Sequence, residues 1–180
     1  MKAIWALGTT AVLALAYPVA AQVPSGQAKP RPQAEAAADP ESADVEFVRK
    51  AAEGGLKEIE LGKLAIDKAS SEEVRAFGKQ MVADHSKSNA ELMALASMPP
   101  PSAPPKPEED LSGLSGVAFD RAYVAKMVTD HEATVELFEA EARDGKDDVL
   151  RKWAAQKLPT VRGHLEKARA LQSKVAKTAP

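Results

Sequence analysis

Apolar residues recur every three or four positions along four long stretches of this 180-residue chain, which is the spacing of amphipathic helices. The stretches cover about residues 44–68, 70–97, 115–143 and 147–174. The folded part is poor in aromatic residues and rich in Ala, Leu, Glu and Lys, a composition typical of long helices rather than sheets. The pattern therefore predicts an all-α protein.

The boundaries between these stretches carry helix-capping residues. Ser70, with Glu73 three residues later, predicts a capping box that opens the second helix. Gly145 predicts the end of the third helix, and Asp147 or Asp148 predicts the start of the fourth. Because these two joints are short, the first and second helices, and the third and fourth, are each expected to form an antiparallel hairpin.

The segment between the two hairpins is long and rich in proline. Residues 98–110 contain six prolines, and in an extended polyproline conformation of about 3.1 Å per residue they could cover about 40 Å. A helix of about 26 residues has nearly the same length, about 39 Å. The expected fold is an antiparallel four-helix bundle, ferritin-like, with this proline-rich loop crossing between helices two and three. A simple up-down-up-down bundle is the alternative, although it needs a shorter loop.

The N-terminal segment, residues 1–21, has the layout of a secretory signal peptide. Lys2 precedes an apolar run from Ala3 to Val19, and the small residues around Ala21 predict cleavage after that residue. A membrane anchor is the alternative, but the run is about the shortest that could span a bilayer. The expected location is periplasmic or secreted, with no transmembrane span after signal cleavage.

Three segments are predicted to follow the signal peptide: a disordered Ala/Pro/Gln-rich tether over residues 22–43, the bundle domain over 44–174, and a C-terminal tail over 175–180. The 24 basic and 26 acidic side chains are interspersed, which argues against nucleic-acid binding. There is no cysteine, so the exported domain is expected to be stabilised by its core alone. The sequence leaves a protein partner and homo-oligomerisation open.

Candidate chemistry rests on three histidines. The segment MVADH at 81–85 returns as MVTDH at 127–131, which supplies His85 and His131, and His164 lies in the fourth helix. Glu58 shares the apolar face of the first helix. A carboxylate and neutral imidazoles that converge in a bundle core would form a site for a divalent metal such as zinc, iron or manganese. Counted at about 1.5 Å per residue, His164 lies several ångströms from the others and joins them only through a kink at Pro159 or a register shift.

Two observations oppose a ferritin-type di-iron centre and leave a structural interpretation open. The residues three before the histidines are valines, so the Glu-x-x-His motif of di-iron bundles is missing. Asp84 and Asp130 point about 100° away from the histidines that follow them and are expected either to orient a histidine from behind or to be surface acids. In the competing interpretation these groups form a polar layer without metal, with Asp–His bonds between helices and the Tyr123 hydroxyl bonded to Glu58.

Several segments resemble a bacterial family known as domain of unknown function 4142, which groups with ferritin-like bundles. The resemblance covers about residues 45–171 and is carried by the following segments in order: Phe47–Ala52, Glu58–Ala65, Met81–His85, Phe119–Tyr123, and Leu158–Thr160 followed by His164. It implies a periplasmic or envelope-associated four-helix bundle and no assigned activity.

The expected function is that of an exported, non-catalytic envelope or stress-related protein, and the alternative is a metal-binding bundle for sequestration or redox protection. No catalytic residue and no organic cofactor site are predicted. The chain has no cysteine and no serine in a nucleophile elbow, which argues against a hydrolytic enzyme.

Overall fold

Four long helices make up the part of the chain that the computed structural model describes, residues 40–98 and 110–177. They are α1 (Pro40–Lys68), α2 (Glu72–Ala96), α3 (Gly116–Asp144) and α4 (Asp148–Val175). The all-α prediction is confirmed, and α1 begins ahead of the predicted domain boundary at residue 44. The predicted signal peptide, the tether up to residue 39, the prolines of the loop and the end of the tail (178–180) lie outside the described residues. Within these described ranges, no helix combines the length and apolarity needed to cross a bilayer.

The helix ends confirm the predictions made at Gly145, which follows the last residue of α3, and at Asp147, and they overturn the one made at Ser70. Asp147 caps α4, because its carboxylate accepts hydrogen bonds from the Val149 and Leu150 amides. The cap of α2 is Ser71, whose hydroxyl accepts from the Val74 amide. The capping box predicted at Ser70 and Glu73 is therefore wrong. Ser70 bonds to Asp120 of α3, and Glu73 pairs with Lys174 of α4.

Two buried aspartates fix the directions of the helices. Asp44, at the start of α1, accepts hydrogen bonds from the Lys146 and Asp147 amides at 3.0 and 2.6 Å. Asp120, near the start of α3, accepts from the Ser70 and Ser71 amides at 3.1 and 2.9 Å. The first helix of each hairpin, α1 or α3, therefore begins beside the turn of the other hairpin. It follows that α1 is antiparallel to both α2 and α3, and that α2 and α3 begin at the same end of the bundle.

The hydrophobic core is divided into two clusters, one toward each end. The Trp153 cluster lies toward the α3–α4 turn and comprises the buried residues Phe47, Val48, Ala52, Leu92, Met93, Phe138, Leu150, Trp153, Ala154 and Val161. The Phe77 cluster lies toward the α1–α2 turn and includes Leu61, Ala65, Val74, Phe77, Met81, Phe119, Tyr123, Val124, Met127, Ala168 and Leu171. On every helix a short stretch separates the two clusters. Glu58, His85, His131 and His164 occupy those stretches.

The two hairpins repeat the same contacts at equivalent positions along the chain. Each residue of the first hairpin and its counterpart in the second are separated in the sequence by the same number of residues as Asp44 and Asp120. We call this separation the hairpin offset. Arg75 bonds to the Ala69 carbonyl and to Glu72. Arg151, which follows Arg75 by the hairpin offset, bonds to the Gly145 carbonyl and to Asp148. Each donor and acceptor in the Arg151 contacts therefore lies one hairpin offset after its counterpart in the Arg75 contacts.

Aromatic packing follows the same rule. The ring centroids of Phe47 and Trp153 lie 6.3 Å apart with an interplanar angle of 68°, and those of Phe77 and Tyr123 have the same distance and angle. The hairpin offset relates Phe47 to Tyr123 and Phe77 to Trp153. The bundle therefore has approximate two-fold symmetry between its hairpins, and the symmetry relates the two core clusters to each other.

Candidate metal centre

The four predicted ligands meet at the middle of the bundle, one from each helix. Glu58 is 3% exposed, His131 is fully buried and His164 is 3% exposed, and the His85 side chain is 12% exposed. One ring nitrogen from each of the three histidines lies within 4.8 Å of the other two. The structure thus brings together every residue that the sequence suggested as a metal ligand.

His164 joins the cluster although it was expected to lie several ångströms away. Its backbone is about 26 Å along α4 from the α3–α4 turn, whereas His131 is about 21 Å from the same turn. Helical side chains lean toward the N-terminus of their own helix. Because α3 and α4 run in opposite directions, His164 leans back toward the turn while His131 leans away from it, and the rings converge.

Four buried polar atoms at this point have no hydrogen-bond partner among the described residues: Glu58 Oε2, His85 Nε2, His131 Nε2 and His164 Nδ1. Glu58 Oε2 lies 2.5 Å from His85 Nε2 and 3.4 Å from His131 Nε2, yet neither contact has the geometry of a hydrogen bond. Buried polar atoms are rarely left unpaired, because each one costs about 1–3 kcal/mol. A bound ligand that contacted all four atoms would pair each of them and remove that cost.

The second nitrogens of two rings are already engaged. His131 Nδ1 lies 2.9 Å from the Met127 carbonyl and donates to it, which leaves the lone pair on Nε2. His164 Nε2 lies 3.0 Å from Asp84 Oδ2 and donates to that carboxylate, which leaves the lone pair on Nδ1. Metal-bound histidines are commonly held in this way by a carbonyl or a carboxylate on the far side of the ring. In their neutral forms, which metal binding requires, both rings present an unprotonated nitrogen to the centre.

The electrostatic balance at the site favours an ionised Glu58. Burial alone would raise the pKa of Glu58, but the charges of His85 and His131 outweigh it and lower the pKa to about 2. Burial lowers the pKa of His85, and the adjacent Glu58 reverses that and leaves it raised. At His164, burial dominates over the bond to Asp84, and the pKa is lowered. The centre thus combines an anionic oxygen with imidazoles, the donor set of first-row transition-metal sites.

The three residues expected to support the ligands behave differently. Asp84 holds His164 from the adjacent helix, as described above. Asp130 pairs with Lys57 and Lys126 instead of with a histidine. The hydrogen bond expected between Tyr123 and Glu58 is not formed, since the Tyr123 hydroxyl is buried without a partner among the described residues. Burial, followed by the charge of Glu58, raises the pKa of Tyr123, so the phenol stays neutral.

Fold and site together define a four-helix bundle protein with a buried centre of three histidines and one glutamate. The chain belongs to the family described as "Domain of unknown function (DUF4142)", whose model matches residues 29–171. This confirms the resemblance that its sequence segments indicated.

Comparison with solved structures supports the fold alone. The chain is similar to the crystal structure named "putative secreted protein DUF305 from Streptomyces coelicolor", with a TM-score of 0.64 and 17% sequence identity. The match covers 74% of this chain and 92% of the other. No curated protein matches the chain significantly.

Proposed function

We propose that this chain is an exported, ferritin-like bundle protein that binds one divalent transition-metal ion through Glu58, His85, His131 and His164. The observation that carries the proposal is the set of four buried, unpaired donor atoms, one from each helix. A tetrahedral metal with bonds of about 2.0–2.1 Å separates its ligand atoms by about 3.3–3.4 Å. The separations here, 2.5 and 3.4 Å from Glu58 and up to 4.8 Å between the histidines, bracket that value. Small rotations of the side chains would place all four around one ion.

The donor set also limits which metals fit and how many. Imidazole and carboxylate suit zinc, iron and manganese, and without sulfur ligands the site has no preference for soft ions. The valines at the Glu-x-x-His positions supply no carboxylate for a second ion, so one metal per chain is expected. Such a protein would sequester the metal or protect the envelope from its redox reactions.

Export and the ferritin-like topology rest on separate support. The signal-peptide pattern over residues 1–21 indicates export, and the DUF305 protein of similar fold is named a "putative secreted protein". The described helices α2 and α3 begin at the same end of the bundle. This supports the proposal, because ferritin-like folds join two such helices by a single long crossover.

A second candidate is a bundle whose polar layer fixes helix register and binds nothing, in a non-catalytic envelope protein. The contacts between His85 and Glu58 and between His164 and Asp84 favour it, because each joins two helices without any ion. This alternative leaves His131 Nε2 and His164 Nδ1 unpaired in the core, which is its weakness.

Elemental analysis separates the two candidates. Residues 22–180 are purified without affinity tag or chelator, incubated with zinc, iron or manganese, and compared with the Glu58→Ala/His131→Ala double variant. Glu60→Ala is the matched control, because Glu60 is exposed on the same helix and pairs with Lys63. We expect about one metal per chain in the wild type and in Glu60→Ala, and none in the double variant at unchanged helical content. A metal-free wild type would overturn the proposal in favour of the polar layer.

A further inference from the structure

A small, partly open cavity lies between the helices, against the proposed metal centre. Its volume is about 50 Å³. Glu58, His85 and His164 line it, and their unpaired atoms belong to the centre just described. Gly55, Ser88, Thr134 and Val161 line it as well. The centre therefore borders a space that a small ligand could enter.

The approximate two-fold symmetry explains why the space is there. The hairpin offset relates Glu58 to Thr134, His85 to Val161, His131 to Gly55 and His164 to Ser88. All four counterparts of the metal ligands line the cavity. The cavity thus occupies the position of a second, symmetry-related centre in which every ligand is replaced by a smaller side chain. Among the described residues, Asp84 is the one carboxylate outside the proposed centre that lines this cavity, and it is already bonded to His164, so a second metal ion has no ligand set there.

Size and charge indicate what could occupy this position. A water molecule needs about 10–15 Å³ of such volume, so about 50 Å³ gives room for a ligand of two or three heavy atoms. A divalent ion bound by Glu58 and three neutral histidines keeps a charge of +1 at the centre, and Asp84, behind His164 and 40% exposed, offsets that charge only in part. A monoanion would remove the remaining charge, and the Ser88 hydroxyl lies on the cavity wall as a hydrogen-bond donor for it.

We infer that the cavity is the binding position for a small monoanion, of the azide or hydroperoxide class, that coordinates the metal as a fifth ligand. This inference rests on the proposed metal site. Four-coordinate metal centres expand to five ligands when a position is accessible. The cavity, at the symmetry-related position that lacks ligands, provides this accessible position. The site therefore resembles a reactive metal centre more than a closed structural one.

Cobalt(II) and azide provide the test, because the visible spectrum of cobalt(II) reports its coordination. We expect the cobalt-loaded wild type to change its spectrum saturably as azide is added. Ser88→Leu should fill the cavity while it keeps one cobalt per chain, and its azide affinity should fall at least tenfold. Ser86→Leu is the matched control, because Ser86 lies just ahead of Ser88 on α2, is absent from the cavity lining and should behave as the wild type.

A second pair of variants approaches the cavity from α3. Thr134→Leu fills it from that side, and Thr129→Leu is its control. Both threonines donate to the carbonyl one helical turn earlier, and Thr129 is exposed. The two substitutions therefore cost the same backbone contact, and only Thr134→Leu should weaken azide binding.

The outcomes distinguish this inference from the proposed function. If cobalt does not bind the wild type, the metal site itself is overturned and the inference falls with it. If cobalt binds but azide leaves its spectrum unchanged, the site is closed, and the inference alone is overturned. An equal azide response in the wild type and both cavity-filling variants would place the anion elsewhere and would also overturn it.

Discussion

At the ends of the bundle the α1–α2 and α3–α4 hairpins use matching residues for matching contacts, whereas at its middle they do not. Asp44 and Asp120 close opposite turns in the same way, and Arg75 and Arg151 tie down equivalent carbonyls. Halfway along, the positions equivalent to the four proposed ligands hold a glycine, a serine, a threonine and a valine.

This difference separates the residues that hold the bundle together from those available for chemistry. The end contacts satisfy backbone amides, and losing them would cost stability in either hairpin. At the middle, one set of positions carries unpaired donor atoms in the core, and the other set leaves a cavity. Both arrangements are unfavourable for stability alone, since unpaired polar groups and voids each cost free energy. Their presence side by side is what the proposed binding of a metal and a small ligand would account for.

The largest effect is expected when a proposed metal ligand is replaced by the residue at its symmetry-related position. Glu58→Thr removes the only anionic ligand, so the dissociation constant for zinc should rise at least hundredfold, about 2.7 kcal/mol. Competition with a chromophoric chelator measures it, and circular dichroism confirms that the helices persist. A change of less than tenfold would mean that Glu58 is not a ligand.

Removing the cap at the α1–α2 turn should have the next largest effect. Asp120→Ala leaves the Ser70 and Ser71 amides without their acceptor, and we expect a loss of about 2–3 kcal/mol in the free energy of unfolding. Urea denaturation measures it. Asp120→Asn keeps one oxygen acceptor and should recover part of the loss.

The equivalent cap at the α3–α4 turn is expected to contribute less to the free energy of unfolding. Asp44→Ala frees the Lys146 and Asp147 amides, but it also removes a negative charge that acts on the buried Glu141. We expect a loss of about 1–2 kcal/mol at pH 5 and a smaller loss at pH 8, where Glu141 is ionised. Equal losses at both pH values would show that the two carboxylates do not interact.

The smallest effect is expected at Glu141 itself, whose symmetric counterpart is Ala65. Burial, together with Asp44 and Asp147, raises the pKa of Glu141 from 4.5 to about 7. The stabilisation from its bound proton is complete below pH 4.5 and is lost as the pH rises through 7. Glu141→Gln should therefore match the wild type near pH 4 and be about 1 kcal/mol more stable at pH 8, after allowance for solvent screening. Parallel urea titrations across this range test it, and a stability difference that did not vary with pH would contradict the raised pKa.

Local patterns in the sequence predicted the helices well because the apolar spacing and the Asp147 cap act within a few residues. They failed where a distant residue decided the outcome. Ser70 lost its predicted capping role because Asp120 competes for its hydroxyl from another helix. Leu95 continues the apolar spacing of α2 yet is 43% exposed, although Ala96 and Met98 beyond it pack against the Trp153 cluster.

The candidate site was predictable as a set of residues and not as an arrangement. Glu58 and the histidines could be selected because they are scarce polar groups on apolar faces. The convergence of His164 depends on how side chains lean on two antiparallel helices, which a count of backbone rise alone does not include. The repeated MVxDH segment obscured the internal symmetry, because it relates α2 to α3 at a shorter spacing than the hairpin offset. Few residues are identical at the hairpin offset, so nothing in the sequence pointed to the cavity.

The reciprocal placement of the two aspartates has a consequence for how the protein comes apart. Asp44 belongs to the first hairpin but closes the turn of the second, and Asp120 does the converse. When either hairpin detaches, it takes with it the acceptor that the other needs, so neither is left as a complete unit. The two halves should therefore melt together in a single cooperative transition, despite a core that is divided into two clusters.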